Sequence, residues 1–276
     1  MFHPSEWLGH KLARFLSKPR AMEMHFSTSG FTLLKSTLCK GDVLLVEGSS
    51  RFSTAIKYLT QSSWSHAALY VGDALQQRYP QLGTHVLIEA DVVDGVRAIS
   101  LNGYRGAHTR VCRAVGLDAD EIDAVIHHAT ARIGQSYDVR QIVDLARYLL
   151  PTPPIPGRWR RRLLAFGSGE PTRAVCSSLI AAAFQSVRYP ILPSVDRGDR
   201  RQRGSRQVRR ELLHIRNTRL FTPRDFDISP YFRIVKPLIE HGFDPHRIHW
   251  AATVAMLPAS PPAASPSSRT NPAGSA

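Results

Sequence analysis

Ala174-Val175-Cys176-Ser177-Ser178-Leu179-Ile180-Ala181-Ala182-Ala183-Phe184 reads as the start of a buried helix. Cys176, Leu179, Ile180, Ala183, Phe184 and Val187 recur at helical spacing, which puts the thiol on the inward face. Thr172 is the N-cap this pattern predicts, setting Cys176 in or near the first turn. The positive end of the helix dipole favours thiolate over thiol there, and the thiolate is the nucleophilic form. A lone cysteine on such a face also serves well as a small core residue. The rest of the chain has to decide between the two.

Upstream of that helix come short strands and turns. Gly41-Asp42 turns into a strand at Val43-Leu44-Leu45-Val46, and a helical segment covers 52–60. Trp64 to Val71 is a second strand, ended by Gly72-Asp73. His85 to Asp91 is a third, Val96 to Leu101 a fourth after the Asp94-Gly95 turn, and Thr109 to Ala114 a fifth. Asp118 opens a helix through Ile133 with acidic residues in its first turn. A further helix over 139–150 is broken by Pro151-Thr152-Pro153-Pro154-Ile155-Pro156-Gly157. Strands cluster between helices instead of alternating with them, which predicts an α+β fold with a small antiparallel sheet.

Three regions follow. Residues 1–30 form an amphipathic helical extension, with Trp7, Leu8, Leu12, Phe15 and Leu16 on one face and Ser5 as cap. Residues 31–257 form the main domain, with a basic Pro/Arg-rich insertion near 150–172. Residues 258–276 are a Pro/Ala/Ser tail expected to be disordered.

A cysteine nucleophile needs a base, and the base needs an orienting group. His66 stands in the otherwise apolar run Trp64-Ser65-His66-Ala67-Ala68-Leu69-Tyr70-Val71, where Trp64, His66, Ala68 and Tyr70 are expected on one face. Glu89 is equally out of place in Val86-Leu87-Ile88-Glu89-Ala90, and a half-buried carboxylate has to be paired or hydrogen-bonded. If the two strands form a hairpin, a simple register brings Glu89 near His66, in the orienting role of a triad's third member. The sequence leaves that register open, and His85 and Asp91 on the same face are the other candidate orienters.

The chain has 276 residues, 43% of them hydrophobic and 21% charged, enough to bury a core without disulfides. Cys39, Cys112 and Cys176 are widely spaced and odd in number, with no CxxC pair, so neither a disulfide framework nor a zinc site is expected. Reduced thiols, the lack of a secretory leader and the lack of an apolar run of about 18 residues point to a cytoplasmic protein. His241, His246 and His249 find no carboxylate or cysteine at a familiar metal spacing. Without GxSxG, Walker A or GxGxxG patterns, no metal and no cofactor are expected. The formal charge is +14, concentrated at Arg158-Trp159-Arg160-Arg161-Arg162 and from Arg197 through Arg219. Such a balance attracts anionic surfaces. No zinc finger, RNP-type strand or heptad zipper accompanies it, so an anionic membrane face is a better partner than nucleic acid.

Gly41-Asp42-Val43-Leu44-Leu45, then Ser65-His66-Ala67-Ala68-Leu69-Tyr70-Val71-Gly72, then Glu89, then Gly134-Gln135-Ser136-Tyr137-Asp138, then Cys176-Ser177-Ser178-Leu179-Ile180 resembles the permuted branch of the NlpC/P60 cysteine hydrolases, and within it the YiiX/YebB-like group. The order His, acid, Cys is that of the circularly permuted branch. Thr222 to Phe232 is similar to the C-terminal end of that group. The resemblance implies a permuted papain-like α+β fold, with the Cys-bearing helix packed on the small sheet that carries His66 and the acid. It implies thiol hydrolase or acyltransferase chemistry: Cys176 attacks a carbonyl, His66 shuttles the proton, Glu89 orients His66, and backbone N–H groups at the helix start stabilise the oxyanion. Tyr137 matches the family's tyrosine ahead of the cysteine and is a candidate to line the site, as are Ser65 and Ser177 beside the two reacting residues.

The wider family divides between cell-wall peptide amidases and enzymes of acyl lipids. The basic surface, the amphipathic N-terminal segment, and Trp159, Leu163, Leu164 and Phe166 within the basic insertion favour an acyl-lipid or lipid-linked substrate at a membrane face. A cell-wall peptide amidase is the second reading. A third is a non-catalytic papain-like module that binds anionic membrane or nucleic acid through its arginines.

Overall fold

The structure, a computed structural model, describes residues 30–91, 93–135, 175–196, 212–214, 217–218 and 221–248. Expectations for the segment 5–17, the helix at 139–150, the Pro/Arg-rich insertion, Thr172 and the tail fall outside these residues.

Helix α1 (Phe31–Thr37) leads through Gly41-Asp42 into strand β1 (Val43–Val46). Helix α2 (Arg51–Thr60) is capped by Ser50, whose hydroxyl accepts the Ser53 N–H at 3.0 Å, and it ends on a left-handed Gln61. Then come β2 (His66–Gly72), β3 (Val86–Asp91), β4 (Gly95–Ser100) with a 3-10 turn at Leu101–Tyr104, and β5 (Thr109–Ala114). Helix α3 (Ala119–Thr130) opens with a capping box: the Glu121 N–H donates to Asp118 at 2.8 Å and the Asp118 N–H donates to Glu121 at 3.1 Å. It stops three residues short of the expected Ile133. The cysteine helix α4 spans Val175–Ser186. Strands β6 (Ser194–Asp196) and β7 (Leu212–His214) pair with each other, and α5 (Pro223–Asp227), β8 (Phe232–Val235) and α6 (Pro237–Glu240) follow. These elements belong to one unit that runs to Gly242. Phe243–Ile248, with a 3-10 turn at Pro245–Arg247, belong to a second.

The main sheet has six strands in the order β4-β3-β2-β1-β5-β8, and every neighbouring pair is antiparallel. The fold is α+β, as expected. All four residues of β1 are buried because both faces of the sheet are covered. Side chains alternate across a strand. Val43, Leu45, Ala67, Leu69, Val71 and Ile88 face a cluster with Leu179, Ile180, Ala183 and Phe184 of α4. Leu44, Val46, Ala68, Tyr70 and Leu87 face a second cluster with Leu34 and Leu38 at the α1 end. Phe184 anchors the first cluster, edge-on to Phe232 with ring centroids 5.1 Å apart.

Trp64 corrects one expectation. It packs with Ala67 and Leu69, not with Ala68 and Tyr70. The strand begins only at His66, so pleat alternation does not extend back to Trp64.

The entry to β1 is fixed by a buried ion pair. Asp42, fully buried, takes both Nε and an Nη of Arg113 at 2.7 Å, and the Cys39 N–H at 2.8 Å. Gly41 beside it has φ +85°, and a Cβ there would stand 3.2 Å from Ile122 of α3, so both conformation and space call for glycine.

Candidate active site

His66 is the first residue of β2. The β2–β3 register pairs Ala68 with Glu89, which makes His66 and Glu89 diagonal neighbours on one face. Their side chains meet: His66 Nε2 lies 2.8 Å from Glu89 Oε2. With Nε2 on the carboxylate, Nδ1 is the nitrogen left for the thiol. Helix α4 packs on β2 and β3, and it brings its second residue, Cys176, beside His66, near enough for the two side chains to act on each other's protonation. The sulfur also lies near the Ala67 backbone N–H and stands 3.9 Å from the Ser177 hydroxyl. The cysteine is 4% exposed, while 23% of the His66 side chain is open to solvent.

The charges on these groups are mutually determined. Burial pushes the Cys176 thiol up, but the neighbouring His66 charge and hydrogen bond, helped by Ala67 and Ser177, bring it below its ordinary value. Burial opposes a charge on His66, yet Cys176 first and Glu89 second raise the imidazole well above its usual range. Burial also pushes Glu89 up, and the hydrogen bond and charge of His66, with Tyr104 and Arg97, outweigh it and hold the carboxyl at about 2. Both shifts run towards a thiolate–imidazolium pair, beside a carboxylate that stays ionised.

The other two candidate orienters are engaged elsewhere. His85 Nδ1 pairs with the Tyr70 hydroxyl at 2.7 Å. Asp91 accepts the Val93 and Asp94 N–H groups at 2.7 and 3.0 Å, closing the β3–β4 turn. Ser65 is 2% exposed and accepts the Gly48 N–H at 2.9 Å. A Cβ on Gly48 would lie 2.8 Å from that hydroxyl. Ser65 thus pins the loop after β1, whereas Ser177, also buried, sits against the sulfur. Tyr137 lies outside the described residues.

Two members of the cluster were not anticipated. Arg97 brings Nε and Nη2 to Glu89 Oε1, each at 2.8 Å. Tyr104, on the 3-10 turn after β4, donates its hydroxyl to Glu89 Oε2, and its ring centroid is 6.2 Å from that of His66. Arg97 had a readable signal. The Asp94-Gly95 turn sets a hairpin register that puts Arg97 opposite Glu89. Tyr104 had none, because its position depends on a turn beyond the strand.

The segment before His66 is braced by a second polar group. The Trp64 indole N–H donates to Asp227 of α5 at 3.0 Å, and Arg110 binds the other oxygen of Asp227 at 2.6 Å while lying over the Trp64 ring. His108 packs beside that ring at 5.1 Å and pairs with Glu47 at 2.9 Å. Among the described residues, no group of three or more His, Cys, Asp or Glu side chains is placed to hold a metal ion. No described helix is long and apolar enough to cross a membrane.

Residues 37–148 match the sequence model of Peptidase_C92, described as permuted papain-like amidase enzyme, YaeF/YiiX, C92 family. The matched stretch contains His66, Glu89, Arg97 and Tyr104 and ends before Cys176. A search of curated proteins gave no significant match. Among solved structures, the chain is similar to one described as metalloprotein yiiX from Escherichia coli O157:H7, at 16% identity and a TM-score of 0.43, covering 72% of this chain and 97% of that one. The family match supports an enzyme, a thiol-type hydrolase of amide bonds. Over the strands that carry the histidine and the acid, the chain is similar to the permuted papain-like amidases of the YaeF/YiiX group.

Proposed function

We propose that this chain is a thiol-dependent hydrolase or acyltransferase in which Cys176 is the nucleophile, His66 the general acid–base and Glu89 the orienter of His66. The observation that carries the reading is the arrangement in which the Cys176 thiol adjoins the His66 imidazole and that imidazole binds the Glu89 carboxylate at 2.8 Å. Packing alone gives no reason for three such groups, 23 and 87 residues apart in sequence, to converge near the start of β2.

The chemistry follows from the ionisation. The Cys176 thiolate adds to the substrate carbonyl carbon, forming the C–S bond and placing negative charge on the carbonyl oxygen. First-turn N–H groups of α4 have no intrahelical partner and are suited to receive that charge. Collapse expels the leaving amine, alcohol or thiol, which takes its proton from the imidazolium of His66. The enzyme is left as an acyl-thioester with neutral His66. Water or another acceptor then gives His66 a proton as it attacks the thioester, and the thiolate–imidazolium pair is restored. Glu89 stays ionised throughout and holds the imidazole in one orientation.

The substrate in this reading is an acyl-lipid or lipid-linked amide, ester or thioester. What supports it is the net charge of +14 and the apolar residues Trp159, Leu163, Leu164 and Phe166 set among arginines, a combination suited to an anionic interface. Lipid extracts incubated with the parent protein and with Cys176→Ala, compared by mass spectrometry, test it. Loss of an acylated species only with the parent protein is the expected result. Identical lipid profiles together with cleavage of muropeptides would reverse the substrate assignment in favour of a peptide amidase.

A further inference from the structure

We propose that Tyr104 and Arg97 are positioning residues that grip both oxygens of Glu89 and so fix the His66 imidazole against the sulfur. The proposal rests on the triad reading above and adds a layer behind it. Oε1 of Glu89 is taken by Arg97 through two nitrogens, and Oε2 is shared by His66 and the Tyr104 hydroxyl. The terminal torsion of a glutamate is broad. A carboxylate held at one oxygen can swing and let the ring turn with it. One held at both cannot.

The two grips arrive together. Arg97 is on β4, opposite Glu89 in the ladder, and Tyr104 ends the 3-10 turn that follows the same strand. Burial and the adjacent carboxylate push the Tyr104 phenol well above its usual value, so it remains a donor. Arg97, partly exposed, is charged throughout. Their influence on the thiol runs through Glu89 and then His66.

Alkylation by iodoacetamide tests this without knowledge of the substrate. The full chain carrying Cys39→Ser leaves Cys176 as the reactive thiol, since Cys112 is wholly buried, and intact mass verifies a single adduct. The parent should alkylate at pH 5. Tyr104→Phe and Arg97→Met should each be about three- to tenfold slower at pH 5, the partial loss of a charged hydrogen bond, and equal to the parent at pH 9. Arg97→Lys, with charge but no fork, should fall between. In a Glu89→Gln background, neither change should slow the reaction further, because both act through the same carboxylate. Unchanged rates at pH 5, or equal slowing with and without Glu89, would overturn the proposal. His66→Ala separates the two layers. If it alkylates at pH 5 like the parent, the thiol–imidazole reading itself fails. If it is slow while Tyr104→Phe and Arg97→Met are not, only the positioning role fails.

Discussion

Replacing Glu89 by glutamine should change how stability depends on pH, and the size of the change follows from the site. The carboxyl is 3% exposed and held at about 2 against an ordinary 4.5. At roughly 1.4 kcal/mol per pH unit, that gap corresponds to about 3 kcal/mol of folded-state stabilisation at neutral pH. The sign is that of a depressed acid: the contribution is complete above 4.5 and is lost as pH falls towards 2. By pH 3 about 2 kcal/mol of it should be gone. The substituted amide keeps the shape but has one accepting oxygen where the carboxylate has two, so it can accept from Arg97 or from Tyr104 but not from both, and it does not titrate. Urea unfolding of parent and Glu89→Gln from pH 7 to pH 3 measures the difference. The parent should be more stable at pH 7, and its advantage should shrink by about 2 kcal/mol at pH 3. A difference that stays constant across that range would show that the native carboxylate is not held ionised by its partners.

Three further outcomes follow. At pH 6, iodoacetamide and mass mapping should find Cys176 modified fastest, Cys39 slowly, and Cys112, buried and pushed up to about 12, not at all in the folded protein. Phe184→Ala should lower unfolding free energy by about 3–5 kcal/mol in denaturant titration, since the fully buried ring packs edge-on to Phe232 and its loss leaves a cavity under the cysteine helix. Asp42→Asn should destabilise by about 3 kcal/mol or more, because it breaks a buried two-pronged bond to Arg113 at the entry to β1, and a thermal melt close to that of the parent would refute this.

The fold was legible where one local rule sufficed. Strands β1 to β5, α2, α3 and the cysteine helix sit where apolar pattern and turn residues predict them, within about three residues at their ends. Asp118 and Glu121 announce a helix start in any tertiary context, and they make the capping box. β8 carries no strand signal of its own, because four residues after Pro230 hold too little pattern and gain their ladder only by pairing with β5. In the site, His66 and Glu89 were visible as polar residues inside apolar strands. Their pairing was not, since the 13 residues between β2 and β3, 73–85, do not set a register. The turn before β4 does, and it could have supplied Arg97. Tyr104 required the path of the chain after β4, which no periodicity encodes.

The placement of charge in this sheet argues for purpose beyond stability. A buried carboxylate that takes three partners loses its hydration, and a hydrophobic residue of similar size would serve packing at least as well. Asp42 shows what the chain does when the aim is structural: one carboxylate, one arginine and a backbone N–H close a loop, and no imidazole or thiol joins them. Glu89 differs in one respect. Besides its arginine it engages an imidazole that adjoins a thiol and is partly open to solvent. The arginine and the tyrosine share the anion with the imidazole, so the carboxylate's charge does not rest on His66 alone. A site built only for stability would enclose that imidazole. Here it is the most exposed of the three, 23% open to solvent against 4% for Cys176 and 3% for Glu89.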